Sequence, residues 1–158
     1  MLRPLYEHTQ QGWLLRFGMV GGAAGFMAAA VVAPVPPAAV PQAAMVAIAT
    51  IMMIAGWFWS SLTVRIEAGQ LFVRFGLGWP RRTIALTDIR SVELTQTSWW
   101  SGLGLHRTAR GWLYNVAGRD AVVVGLASGQ SVLIGSDDAR RLKSTLERAV
   151  AEVARRRA

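Results

Sequence analysis

The residues that most often do chemistry are sparse in this chain. Its two histidines, His8 and His106, lie far apart, and neither has a second histidine or a carboxylate at metal-ligand spacing. Cysteine is absent, which removes disulfides, thiolate metal sites and cysteine nucleophiles. No G-x-S-x-G elbow presents a serine nucleophile. Gly102-Leu103-Gly104-Leu105-His106-Arg107 has the glycine content of a phosphate loop. It lacks the third glycine and the lysine, and no helical pattern follows it. The expectation is a chain with no catalytic site, no metal and no cofactor.

What remains is the chemistry of binding. Trp99, Trp100, Arg107 and Arg110 fall in one polar, glycine-containing stretch, 96–111, read as a long loop. Long loops inside a compact domain are often functional. Tryptophan inserts at a bilayer interface while arginine meets lipid phosphates. The same two residue types also dominate the anchor positions of protein interfaces. Arg81 and Arg82 form a second basic spot, where a charge pair also serves to keep a strand edge solvated. Arg155, Arg156 and Arg157 form a basic tail.

These groups must be positioned by the rest of the chain, 158 residues with a formal net charge of +8. Lys143 is its one lysine, and nearly all the positive charge follows Arg65. A basic chain usually suggests nucleic acid, but the segment before Arg65 points elsewhere. Between Arg16 and Arg65 there is no charged residue. About twenty apolar residues span a bilayer as helix, so the gap holds two spans and a tight connection. The expected partners are therefore the membrane itself, anionic lipids and a membrane protein, with no nucleic acid.

The first apolar run is Trp13 to about Ala33 and carries Gly18, Gly21, Gly22 and Gly25. Small residues at this spacing let helices approach closely in lipid. Pro34, Pro36, Pro37 and Pro41 cannot continue a helix and mark a turn at 34–41. The second run extends from Gln42 to about Leu62. Trp57 and Trp59 near its end, and Trp13 at the start of the first run, are of the type that anchors at a membrane–water interface. Arg3 and Arg16 precede the first run, Arg65, Arg74, Arg81 and Arg82 follow the second, and the connection has neither Lys nor Arg. The positive-inside rule then puts both termini in the cytoplasm. A cleaved signal peptide is the rival reading of the first run; a second apolar run directly behind it favours a transmembrane hairpin.

From Leu62 the period changes to two. Leu62, Val64 and Ile66 alternate with polar residues, and so do Leu71, Val73 and Phe75 after the turn 68–70. Further strands read at 81–86, 91–95, 112–116, 121–126 and 131–134, separated by turn residues. Seven short strands predict a sandwich or barrel. A helix over about 137–155 follows. Ser136 is its expected N-cap, and Leu142, Leu146, Ala149, Val150 and Val153 make its apolar stripe. The expected organisation is an N-terminal cytoplasmic segment (1–12), a transmembrane hairpin (13–62) and a β-domain with its C-terminal helix (63–158).

Seven strands and one amphipathic helix resemble the pleckstrin-homology-like fold. The two apolar runs, the segment from Arg110 through Gly118 to Val122, and Ile134-Gly135-Ser136-Asp137-Asp138 leading into the helix are similar to bacterial membrane proteins with such domains. The resemblance covers roughly residue 61 onward. It implies a PH-like domain at the bacterial inner membrane that binds lipids or proteins, and it brings no catalytic residue with it. The expected function is a membrane-anchored scaffold, an accessory or assembly subunit of a membrane complex. An anionic-lipid headgroup sensor is the alternative.

Overall fold

Alternation of apolar and polar residues becomes strand where one face can be buried. In the computed structural model, which describes residues 4–32, 41–97 and 104–157, nine strands and three helices result. They are β1 (Tyr6–Gln11), α1 (Trp13–Val32), α2 (Gln42–Phe58), β2 (Ser61–Glu67), β3 (Gln70–Phe75) and β4 (Arg81–Ala85). A 3-10 turn, Leu86–Asp88, leads into β5 (Ile89–Gln96), β6 (Gly104–Thr108), β7 (Gly111–Asn115), β8 (Asp120–Leu126), β9 (Ser131–Gly135) and α3 (Ala139–Arg155). The protein is α+β with two sheets. One is the antiparallel meander β1-β2-β3-β4, and the other has the order β5-β8-β9-β7-β6, with β7 parallel to β9.

One core lies between them. The first sheet contributes Leu62, Val64, Ile66, Leu71, Val73 and Phe75, and the second Tyr114, Val116, Val122, Val124, Val132 and Ile134. Helix α3 closes it with Leu142, Leu146 and Ala149, while Val150 and Val153 pack at the margin, so the expected stripe is the buried one.

The seven strands read from the sequence are β2–β5 and β7–β9. Two more were not expected. The N-terminal segment 1–12, to which no strand was assigned, contains β1, which pairs with β2 from Tyr6↔Ile66 to Gln11↔Ser61. The stretch 96–111, read as a loop, contains β6, paired with β7 from Gly104↔Asn115 to Thr108↔Gly111. Helix α3 starts later than expected. Its N-cap is Asp138, and the Ser136 hydroxyl accepts the Asp138 amide (3.1 Å) in the turn before it.

Helix α1, at 20 residues, is long and apolar enough to cross a membrane, and 11% of its apolar window is buried. A signal sequence has the same length and composition. Helix α2 is shorter than the expected 42–62: it ends at Phe58 after 17 residues, or about 26 Å at 1.5 Å per residue. Val64 and Ile66 enter the core from β2 and pull the chain out of helix just before them. The two helices run in opposite senses side by side. A Cβ on Gly56 would lie 2.7 Å from Met19 Cβ, a Cβ on Gly22 would lie 2.6 Å from Met52 Cε, and Gln42 Nε2 donates to Ala30 O at 3.1 Å.

Candidate functional site at the helix–sheet junction

The chain leaves β1 at Gln11, runs through α1 and α2, and resumes β2 at Ser61, directly opposite Gln11. Helix α1 therefore starts, and α2 ends, at the same end of the first sheet. Backbone contacts weld this end together. The Gly12 amide donates to Ser60 O (2.7 Å) and the Gly76 amide to Ser61 O (2.8 Å). Gly12 is buried, and a Cβ there would stand 2.8 Å from Val116 O, so only glycine admits the approach.

Arg16 is the one charged residue in either helix, and it sits in the first turn of α1, where the helix dipole disfavours a cation. Two aromatic rings compensate. Its guanidinium carbon lies 4.9 Å from the Trp57 ring centroid and 5.8 Å from that of Trp13. Cation–π contacts of this kind contribute about 0.5–2 kcal/mol. The start of α1 and the end of α2 are thus clamped at one level. Trp13 and Trp57 remain exposed. Trp59 does not: it is half-buried and packs on the core, because the helix has ended at Phe58 and the chain has turned inward.

The glycine face is split. Only Gly22 of the four meets α2. Gly18, Gly21 and Gly25 have open space where a side chain would be, on surface turned away from α2.

The β3–β4 turn, Gly76–Pro80, lies against the same junction. Gly76 packs on the carbonyl of Phe58, the last residue of α2. The Phe75 amide donates to Pro80 O (3.0 Å) and the Gly78 amide to Phe75 O (2.7 Å), which closes the turn on itself. It carries two large exposed apolar side chains, Leu77 and Trp79. Beneath Trp79 is a mostly apolar cavity of about 360 Å³, lined by Leu15, Met19, Trp59, Pro80, Gly104 and Leu105. Neither Leu77 nor Trp79 stands out in the sequence. The usable signal was Gly-Leu-Gly-Trp-Pro itself, a turn with more apolar surface than a turn needs.

Arg74 and Arg81 face each other across β3 and β4 one residue from this end, both exposed. With Arg65 and Arg82 they line a concavity of about 210 Å³ on the outer face of the first sheet. Arg65 is already paired with Glu67 (2.6 Å) and Glu7 (3.8 Å). None of the ion pairs among the described residues includes Arg74, Arg81 or Arg82. The sequence pointed to Arg81 and Arg82; the structure joins Arg74 to Arg81 through the strand register.

Arg107 is exposed on β6, and Arg110 follows it in the turn, donating to Thr95 Oγ1 at 3.2 Å. Trp99 and Trp100, like Pro34, Pro36 and Pro37, lie outside the described residues. His8 finds a carboxylate that its sequence neighbourhood did not offer: Nε2 is 2.6 Å from Asp137 Oδ1, tying β1 to the approach of α3. Asp137, Asp138 and Asp120 border a polar cleft of about 630 Å³, in which Gln96 holds Asp120 at 3.1 Å. Among the described residues no group of three or more His, Asp or Glu is placed to hold a metal ion. No family model and no curated protein matches the chain.

Proposed function

We propose that this chain is a membrane-anchored binding or scaffold protein rather than an enzyme. Helices α1 and α2 form a transmembrane hairpin, and a PH-like β-domain sits at the cytoplasmic face of a bacterial inner membrane, with both termini on that side. The observation that carries the reading is the pairing of β1 with β2. These strands flank the helix pair and share a sheet, so the chain enters and leaves the helical region on one side. A cleaved signal peptide would take β1 with it, and Tyr6 would be lost from the core.

The open Gly18, Gly21 and Gly25 surface supports a membrane-protein partner, since small residues admit a second helix at close range. The proposed role is an accessory or assembly subunit of a membrane complex. The test is purification of the intact protein in mild detergent, with and without Gly21→Ile and Gly25→Ile. A specific partner retained by the parent and lost from both variants is the expected result. A partner-free monomer would refute the scaffold role, and release of the protein by carbonate washing would refute the anchor. The second reading, recognition of anionic headgroups, is favoured by the Arg74–Arg81 pair.

A further inference from the structure

We infer that the β3–β4 turn is a membrane-docking element: Leu77 and Trp79 insert at the bilayer interface while Arg74 and Arg81 engage the phosphates of anionic lipids. The inference rests on the anchored reading above and adds to it the edge by which the β-domain meets the bilayer.

Four observations converge. First, the turn is fixed beside the helices, because Gly76 packs on the Phe58 carbonyl and its amide donates to Ser61 O at 2.8 Å. A feature so placed lies at the depth where α2 leaves the apolar phase. Second, the turn exposes 67% of Leu77 and 66% of Trp79. Two large apolar side chains on a turn held by three backbone hydrogen bonds are costly to leave in water and favourable at an interface, where tryptophan concentrates. Third, this apolar surface is continuous with that of the helices: Trp79 shares a cavity wall with Leu15 and Met19 of α1. Fourth, charge follows in the right order. Arg74 and Arg81 pair one residue in from the end of β3, about 3.3 Å along the strand from Phe75, so the two cations stand directly behind the turn that carries Leu77 and Trp79. Like charges directly opposite each other on a sheet repel, and no carboxylate among the described ion pairs relieves them. An anion shared between them removes that repulsion.

The source of the anion is the bilayer itself, not a free phosphate. A soluble anion would satisfy the arginines and leave Leu77 and Trp79 wet; a lipid surface satisfies both.

The chain has no cysteine, so single-cysteine spin labelling reports each position cleanly. Three full-length variants are reconstituted into vesicles of neutral phosphatidylcholine, with or without anionic phosphatidylglycerol: Leu77→Cys, Gln70→Cys at the far end of β3, and Gly21→Cys on the open face of α1. The label at 77 is expected to collide with oxygen in preference to a water-soluble nickel chelate, and the label at 70 to do the reverse. Two arginines at an anionic surface predict a roughly thirtyfold rise in the ratio of immersed to hydrated label on going from neutral to anionic vesicles. Arg74→Gln with Arg81→Gln abolishes that rise, and added inorganic phosphate does not lower it. A label at 77 as hydrated as that at 70, with the label at 21 immersed, overturns the docking element and leaves the anchor intact. A hydrated label at 21 overturns the anchor and the docking element together. Equal immersion at 77 in both lipids overturns the role given to the arginines.

Discussion

Gly76 is where the β-domain and the helix pair are joined, and replacing it with alanine is the sharpest test of that joint. Two costs arise together. The backbone there has φ +27°, in the left-handed region, where a Cβ costs about 1 kcal/mol or more. The new Cβ would also overlap the Phe58 carbonyl oxygen, stand 2.9 Å from its carbon and lie 3.2 Å from Trp57 O. These are backbone atoms at a helix end and cannot swing aside like a side-chain tip. The turn must lift away, and the 2.8 Å bond from the Gly76 amide to Ser61 O goes with it, a further loss of about 1 kcal/mol. With the packing under the turn, the total is about 3 kcal/mol. Gly69→Ala is the matched control. It has φ +75° and nothing within 4 Å of the new Cβ, so only the backbone cost of about 1 kcal/mol applies. Thermal unfolding of the full-length protein in mild detergent, followed by near-ultraviolet circular dichroism, reads the difference. Each kcal/mol moves Tm by about 4 °C in a domain of this size, so Gly76→Ala should fall roughly three times as far as Gly69→Ala. Equal shifts for the two variants would refute the claim that the turn bears on α2.

Three further outcomes follow from the core and the turns. Burial pushes the Tyr6 phenol from 10.0 up to about 12, and its hydroxyl makes no hydrogen bond of normal geometry. The unfolded chain therefore loses this proton first: stability is complete below pH 10 and drains away toward pH 12, by at most about 2.7 kcal/mol. Denaturant titrations should show Tyr6→Phe losing that much less over the same window, and a parallel pH dependence in both proteins would contradict it. Ala68 takes φ +50° in the tight turn between β2 and β3, a position that favours Asn. Ala68→Asn should raise stability by about 0.5–1 kcal/mol, measurable as a higher denaturant midpoint at unchanged slope. Leu142 is fully buried where α3 closes the core; Leu142→Ala should cost about 2–5 kcal/mol, and a loss below 1 kcal/mol would mean that α3 is not part of the cooperative unit.

The sequence alone determined the elements that carry a strong periodic signal. A charge-free gap from Arg16 to Arg65 can only be apolar helix or core, and alternation at Leu62–Ile66 and Leu71–Phe75 can only be half-buried strand. The stripe Leu142, Leu146, Ala149 was legible for the same reason. Strand β1 was not. Its inward positions are Tyr6, His8 and Gln10, and the polar members are accommodated by distant partners, His8 by Asp137 and Gln10 by Ala117 O at 2.8 Å. No hydrophobic pattern marks a strand in which two of the three inward side chains are polar and find their partners far away in the sequence. Strand β6 hid likewise, since Gly104–Thr108 has no fully buried residue and lies at a sheet edge.

The candidate site divides in the same way. Residue type pointed to Trp13, Trp57, Arg81 and Arg82, because tryptophan and arginine advertise interfaces wherever they occur. The partners were decided by tertiary structure: Arg16 between two rings, Arg74 opposite Arg81, and Leu77 and Trp79 beside the end of α2. Each of these depends on strand register and on where a helix stops. Register is a property of the whole sheet, settled by which faces the core can bury, and no local window of residues contains it.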